Sequence, residues 1–131
     1  MYPFRECDFG ELAEIMERGC KCAIETYTGS HGLNITLTGE HCRLYLRTQK
    51  PGTLAVGNIG FEEKRHGTGT VVVNWLKKYA REKGFAMIVA IGVSHEAESF
   101  YAKNGFVKTR YADWVWTVPA GPTKGAILDA T

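Results

Sequence analysis

The sequence lacks any apolar run close to the roughly 18 residues that a membrane-spanning helix needs, and residues 1–8 lack the basic-then-apolar layout of a signal peptide. We therefore expect a cytoplasmic protein without membrane contacts. It also lacks internal repeats, low-complexity blocks and any domain linker. The chain has 131 residues, 44% hydrophobic and 23% charged, as one folded globular domain does, which excludes the disordered, collagen-like and coiled-coil classes.

Cysteine is scarce, with only Cys7, Cys20, Cys22 and Cys42 present. Without an export signal we expect these residues to stay reduced in the cytosol as structural thiols. Cys20 and Cys22, with His41 and Cys42 downstream, are separated by one residue, whereas common structural zinc sites separate their ligands by two to four. We therefore expect no metal.

A strong net charge is also absent, because the formal value is +2. Residues 1–60 carry 6 basic and 7 acidic side chains, whereas residues 61–131 carry 10 basic and 7 acidic, so the second half is the better candidate for binding anions. Six of these basic residues surround one predicted loop and helix: Lys64, Arg65, Lys77, Lys78, Arg81 and Lys83. This cluster suits a phosphorylated cofactor better than a long nucleic-acid track, although a solvated helix face would explain its helical members as well.

The first half of the chain predicts one helix followed by antiparallel strands. Leu12, Ile15 and Met16 recur at helical spacing in a helix that Asp8 or Gly10 opens, with acidic residues in its first turns and Gly19 as its stop. From Cys20 onward the sequence becomes rich in β-branched and aromatic residues, which favours strands. The predicted segments are a strand over residues 20–28, a turn at residues 29–32, and strands over residues 33–38, 42–47 and 53–61.

The second half predicts a long amphipathic helix, then a buried strand. Val72, Leu76 and Tyr79 recur at spacings of three and four, in a helix from Thr70 to a glycine stop at Gly84. The almost uninterrupted apolar run that follows predicts a central strand buried on both faces. The remaining segments are that strand at residues 85–93, a short helix capped by Ser94 and stopped by Gly105, strands at residues 106–110 and 113–118, and a mobile tail from Pro119.

The loop before the long helix carries the strongest local signal for chemistry. Gly67 and Gly69 let bare backbone amides approach a diphosphate, and the helix that follows points the positive end of its dipole at the same charge. Glycines are also common in such turns for conformational reasons alone. Neither the P-loop pattern nor the three-glycine dinucleotide pattern is present.

Two motifs in the correct order resemble the GNAT superfamily of N-acetyltransferases. Residues 64–69, KRHGTG, match that family's acyl-CoA loop, Arg/Gln-x-x-Gly-x-Gly/Ala, with lysine in the first place. Residues 97–106, AESFYAKNGF, match its downstream segment, A-x-x-F/L-Y-x-K-x-G-F. The resemblance covers residues 52–110 through these motifs and residues 1–51 by compatible pattern.

The resemblance implies an α/β (α+β) fold in which a mixed, mostly antiparallel sheet of about six to seven strands is flanked by helices and its central strands splay apart. It implies one domain over residues 1–131, with an acceptor-side half at 1–51, an acyl-CoA core at 52–110 and a tail at 119–131. The implied co-substrate is acetyl-CoA. The residues assigned to it are Ile59, Gly60, Phe61, Lys64, Arg65, His66, Gly67, Thr68, Gly69, Thr70 and Ser94.

The resemblance also implies direct attack of an amine on the thioester, for which Tyr101 would protonate the leaving thiolate. The alternative is that Tyr101 is only an aromatic packed on the sheet. Many relatives carry a glutamate base early in the strand before the loop, where this chain has Thr53. His95 is a candidate base because imidazole suits proton transfer near neutral pH, but a surface or capping role fits it as well. The other candidate bases are Glu62, Glu63, His41 and a water relay.

The function implied is N-acetylation of a primary amine on a small molecule or a protein. One alternative is a domain that binds acyl-CoA as a sensor or partner surface without turnover. Another is acetylation of a charged tRNA or other nucleic acid, which the low net charge disfavours. Trp114 and Trp116 share one face of the predicted last strand, so they either cover the core or form a homodimer interface.

Overall fold

The computed structural model describes residues 4–40, 42–49, 52–61, 67–109 and 112–119. The predicted tail beyond Pro119 and the candidate bases His41, Glu62 and Glu63 lie outside these residues. The strands are β1 (Glu25–Thr28), β2 (Asn34–Thr38), β3 (Cys42–Thr48), β4 (Thr53–Phe61), β5 (Met87–Ala90), β6 (Val107–Lys108) and β7 (Trp114–Thr117), and the helices are α1 (Gly10–Cys20), α2 (Thr68–Lys83) and α3 (Glu98–Lys103).

The strands form one sheet in the order β1-β2-β3-β4-β5-β7-β6. Every neighbouring pair is antiparallel except β4 and β5, which are parallel. A parallel pair needs a crossover connection, and α2 supplies it. The predicted fold class, a mixed and mostly antiparallel sheet flanked by helices, is confirmed.

Helix α1 corrects the predicted strand at residue 20. Leu12, Met16 and Cys20 are all buried, and their spacing of four places them on one helical face against the core. The helix therefore continues through Gly19 and ends where Lys21 adopts the left-handed conformation, with φ of 56°. The strand begins only at Glu25, because the side chain of Cys20 is needed in the core.

The sheet has one covered face, which we call the core face. Its side chains are Ile35, Leu37, Leu44, Leu46, Leu54, Val56, Ile88, Ala90, Trp114 and Trp116. These residues pack in one cluster with the buried residues of α1, α2 and α3. Both tryptophans therefore pack on the core, the first of the two alternatives that their spacing left open.

The prediction that β5 is buried on both faces was wrong. Ile88 and Ala90 are buried on the core face, but Met87 and Val89, which point to the other face, are only half-buried. The strand is also shorter than residues 85–93, because its hydrogen-bonded pairs with β4 and β7 span only four residues. An apolar run by itself does not reveal how many faces of a strand are covered.

Helix α2 follows the predicted amphipathic pattern and begins two residues earlier than predicted. It starts at Thr68 because Gly67 adopts φ of 71° directly before it, and it ends at Gly84 with φ of 84°. Between α1 and α2, the rings of Phe9, Trp75 and Tyr79 pack with centroids 5.0–5.4 Å apart. None of the helices in the described part of the chain is both long and apolar enough to cross a membrane.

Candidate functional site

The two central strands separate partway along the sheet. The parallel pairing of β4 and β5 ends where Val56 pairs with Ala90, followed by one hydrogen bond from Ile91 N to Val56 O of 3.0 Å. β4 continues to Phe61, and beyond this point it pairs only with β3 among the described strands. The backbone edge of β4 is therefore free, on its β5 side, to pair with an extended ligand.

A β-bulge marks the point of separation. Tyr45 pairs with Asn58 and the next β3 residue, Leu46, pairs with Val56, so Gly57 is the extra residue. A bulge bends its strand and increases the local twist, which turns β4 away from β5. A side chain at Gly57 would displace the Tyr45 ring, because an added Cβ would lie 2.7 Å from Cδ2 of that ring.

The N-terminus of α2 follows β4 and offers an anion site. The first-turn amides of Thr68, Gly69 and Thr70 have no acceptor within their own helix, and the helix dipole is positive at this end. Gly67 is left-handed, and among the described residues no atom lies within 4 Å of the position that a Cβ would occupy. The Thr68 side chain is buried against Gly19, which leaves only its backbone amide to meet a ligand.

The three basic loop residues predicted to accompany these amides, Lys64, Arg65 and His66, lie outside the described residues. Gly60 and Phe61 are described as part of the strand, without the side chain of Phe61. The Ile59 side chain is half-buried and packs on the core, so the predicted ligand contacts of this strand would come from its backbone.

Tyr101 lies on α3 and is buried, with 4% of its surface exposed. Its ring contacts Phe100 and Phe106, each edge-on with centroids 5.2 Å apart. Burial raises the pKa of the Tyr101 phenol well above its usual value, so the hydroxyl stays protonated at neutral pH. A protonated phenol is a proton donor, and within the described parts of the chain its hydroxyl donates to no other group.

Lys77 joins α2 to the Tyr101 segment, a role that the sequence did not predict. Its Nζ donates a hydrogen bond to the backbone oxygen of Asn104 and lies 5.0 Å from the ring centroid of Trp116. Asn104 is buried, and its Nδ2 donates to Phe100 O at 2.8 Å. Desolvation lowers the pKa of Lys77. Lys77 therefore belongs neither to a phosphate-binding cluster nor to a solvated face, the two interpretations that its charge suggested.

His95, the predicted base, and Ser94, a predicted cofactor contact, lie at the surface. The His95 side chain is 96% exposed, and its Nδ1 lies 3.4 Å from Glu98 Oε1. Ser94 caps the short helical turn that follows, because its Oγ accepts a hydrogen bond from Ala97 N at 3.3 Å. Thr53, where the resemblance expects a glutamate, is buried within β4. The assignment of the base remains a prediction.

The cysteines are unpaired, and Cys20 and Cys42 are buried. Burial raises the pKa of both thiols, which keeps them neutral and unreactive. Within the described residues no group of three histidine, cysteine or carboxylate side chains is placed to hold a metal ion.

No protein-family model matches the sequence, and no curated protein matches it significantly. Solved structures do match. GCN5 from Tetrahymena aligns with a TM-score of 0.57 and 14% identity, over 66% of this chain and 69% of that chain. An N-acetyltransferase candidate from Lactobacillus plantarum aligns with a TM-score of 0.55 and 17% identity, over 66% and 68% of the two chains.

A third match is a protein from Desulfovibrio desulfuricans that is assigned to the GNAT family of acetyltransferases. It aligns with a TM-score of 0.51 and 16% identity, over 66% of this chain and 69% of that one. At such identities the likeness concerns the backbone arrangement. The fold of this chain is the GNAT acetyltransferase fold, with the mixed seven-stranded sheet that the sequence motifs implied.

Proposed function

We propose that the protein is an N-acetyltransferase that moves an acetyl group from acetyl-CoA to a primary amine. The observation that carries the proposal is the gap between β4 and β5, which opens at Val56 and is followed along the chain by the N-terminus of α2. One free strand edge and one cluster of helix-end amides match the two chemical parts of coenzyme A, its amide-containing arm and its diphosphate. The neighbours in fold are named as acetyltransferases.

In this proposal the pantetheine arm lies in the gap and pairs with backbone groups of Ile59 and Phe61, as an added strand would. The diphosphate meets the amides of residues 67–70. Support comes from Gly67, because no atom of the described residues fills the position of a Cβ there, and a side chain at that position would occupy the volume that the phosphates need.

The chemistry follows from what the chain can supply around a thioester. A neutral amine attacks the carbonyl carbon, the carbon–sulfur bond breaks, and the nitrogen loses a proton to a base. Tyr101 gives its phenolic proton to the departing thiolate, and solvent returns a proton to Tyr101 afterwards. His95 or a water relay is the proposed base.

The test mixes the protein with acetyl-CoA and a panel of small amines and peptides, and follows the appearance of free thiol together with the acetylated product. Thiol release that requires an amine supports the proposal. CoA binding without release across the whole panel would favour a non-catalytic acyl-CoA sensor instead. Absence of CoA binding would overturn both.

A further inference from the structure

The face of the sheet opposite the core face is not covered by any described helix, and we call it the open face. Its side chains alternate with those of the core face along each strand, and they include Asn34, Thr36, Thr38, Arg43, Tyr45, Arg47, Met87, Val89 and Val115. None of these nine belongs to the core cluster that the described helices complete. Thr53 and Ala55 share this face and are buried, whereas Arg43 and Arg47 are exposed, so the part of the face that the described residues leave accessible to a second molecule is the side of β3.

Strand β3 carries a basic and aromatic stripe on this face. Arg43, Tyr45 and Arg47 occupy alternate positions, so the two arginines are about 13 Å apart along the strand. Both arginines are exposed, and neither forms an ion pair or hydrogen bond with any residue that the structure describes. An arginine fork without a partner is a ready binding group for a carboxylate.

The stripe lies next to the point where β4 leaves β5. Tyr45 pairs with Asn58, and its ring lies against Gly57, the bulged residue. Helix α2 packs on the core face, so its amides leave the open face free. A molecule that rests on the stripe is therefore beside the gap and does not compete with the diphosphate for α2.

We propose that Arg43, Tyr45 and Arg47 form the docking surface for the acceptor, and that the acceptor is an acidic protein or peptide segment that carries the amine. This inference rests on the proposed acetyltransferase function. A flat sheet face cannot enclose a small molecule as a concave pocket does, so it fits an extended polypeptide. The two guanidinium groups, which have no partner among the described residues, select carboxylates beside the amine, and the Tyr45 ring supplies an apolar contact between them.

The charge pattern argues against a nucleic acid as the occupant. Glu25 lies on the same face in the same cross-strand row as Arg43, since Glu25 pairs with Thr38 and Thr38 with Arg43. A nucleic acid broad enough to reach across the strands from Arg43 to β1 would meet this carboxylate, whereas an extended peptide that runs along β3 would not. Nucleic-acid tracks also need more cations than a stripe with two arginines provides.

The binding experiment uses fluorescent peptides with one lysine, flanked either by aspartate and glutamate or by asparagine and glutamine. Anisotropy is measured for the wild-type protein and for the double variant Arg43→Gln with Arg47→Gln. The double variant Arg18→Gln with Arg81→Gln is the matched control, because it removes two exposed arginines from the helices. We expect the β3 variant to weaken binding of the acidic peptide roughly tenfold and the control to change it less than twofold.

Charge reversal gives a second, independent result. Arg43→Glu with Arg47→Glu should reverse the preference, so that a peptide with arginine beside the lysine binds better than the acidic one. A single-stranded oligonucleotide is measured in the same series. Equal binding of acidic and neutral peptides by the wild-type protein, or tighter binding of the oligonucleotide than of the acidic peptide, would overturn the inference.

Failure of this inference can be distinguished from failure of the acetyltransferase proposal. CoA binding is measured on the same β3 variants by thermal shift, and it should equal that of the wild-type protein because the stripe does not contact the diphosphate site. If acetyl transfer to a small amine persists while peptide charge has no effect on kcat/KM, the docking surface is wrong and the enzyme remains. If neither CoA nor amine is used, the function itself is wrong.

Discussion

For Gly19→Ala, helix propensity predicts a more stable protein, whereas tertiary packing predicts a less stable one. Gly19 lies within the last turn of α1. At helical positions alanine is normally favoured over glycine by about 0.5–1 kcal/mol. The same position faces the first turn of α2. A Cβ added to Gly19 would lie 2.9 Å from the Cβ of Thr68, and nearer still to the Oγ1 and Cγ2 atoms of that side chain.

The contact with Thr68 decides whether the substitution stabilises or destabilises the protein. Thr68 Cβ is fixed by the backbone, so no rotamer change relieves the overlap, and α1 and α2 must move apart. Overpacking of this kind costs about 1–3 kcal/mol, which exceeds the gain in propensity. We expect Gly19→Ala to lower the free energy of unfolding by roughly 1–2 kcal/mol, and the melting temperature by roughly 3–8 °C. The shift of Thr68 should also weaken CoA binding.

Gly10→Ala is the matched control. Gly10 begins the same helix with φ of −58°, and an added Cβ there would have no neighbour within 4 Å in the part of the chain that the structure describes. Urea denaturation of both variants measures the difference directly. If Gly19→Ala is as stable as Gly10→Ala, the close approach of α1 to the first turn of α2 is not present in solution and the reasoning fails.

Three further predictions follow from buried polar groups. Tyr101→Phe should lower kcat by about 10²–10⁴ and leave CoA affinity unchanged, as single-turnover and binding assays can test. Lys77→Met should destabilise by about 1–3 kcal/mol because the Asn104 carbonyl loses a charged donor, whereas the exposed neighbour Lys78→Met should have little effect in the same urea denaturation. Burial raises the pKa of Tyr79 to about 12, so the folded protein keeps a proton that the unfolded chain releases above pH 10. The contribution of Tyr79 to stability should therefore be complete below pH 10 and be lost between pH 10 and 12 in urea titrations, and Tyr79→Phe should remove this part of the alkaline fall.

Several elements could be predicted from the sequence because their signals are local. The bounds of β4 match the strand predicted at residues 53–61, and α2 ends at the glycine that the helical pattern indicates. The N-cap at Ser94 is likewise confirmed by its hydrogen bond to Ala97. In each case one residue and its near neighbours determine the conformation.

Other features depend on what packs above them. Cys20 belongs to a helix because its side chain completes the buried face that Leu12 and Met16 begin. The Lys77 side chain turns inward because its Nζ lies over the Trp116 ring and donates a hydrogen bond to the Asn104 carbonyl. Lys77 and Asn104 are 27 residues apart in sequence. The open face exists because the described helices all contribute to one side of the sheet. Local periodicity contains none of this information.

The central claim is that CoA binds at the N-terminus of α2 beside the β4–β5 gap, and a thermal shift with CoA tests it most directly. A ligand at 100 times its dissociation constant adds about 2.7 kcal/mol to stability. The measurement compares the wild-type protein with Gly67→Glu and Gly84→Glu, at the two ends of α2. Both glycines are left-handed, and at each the position of a Cβ has no described atom within 4 Å, so the two substitutions impose similar backbone strain.

The account predicts that CoA raises the melting temperature of the wild-type protein and of Gly84→Glu, but not of Gly67→Glu, whose carboxylate would occupy the diphosphate position. An equal shift in folded Gly67→Glu, or no shift in the wild-type protein at millimolar CoA, would contradict it.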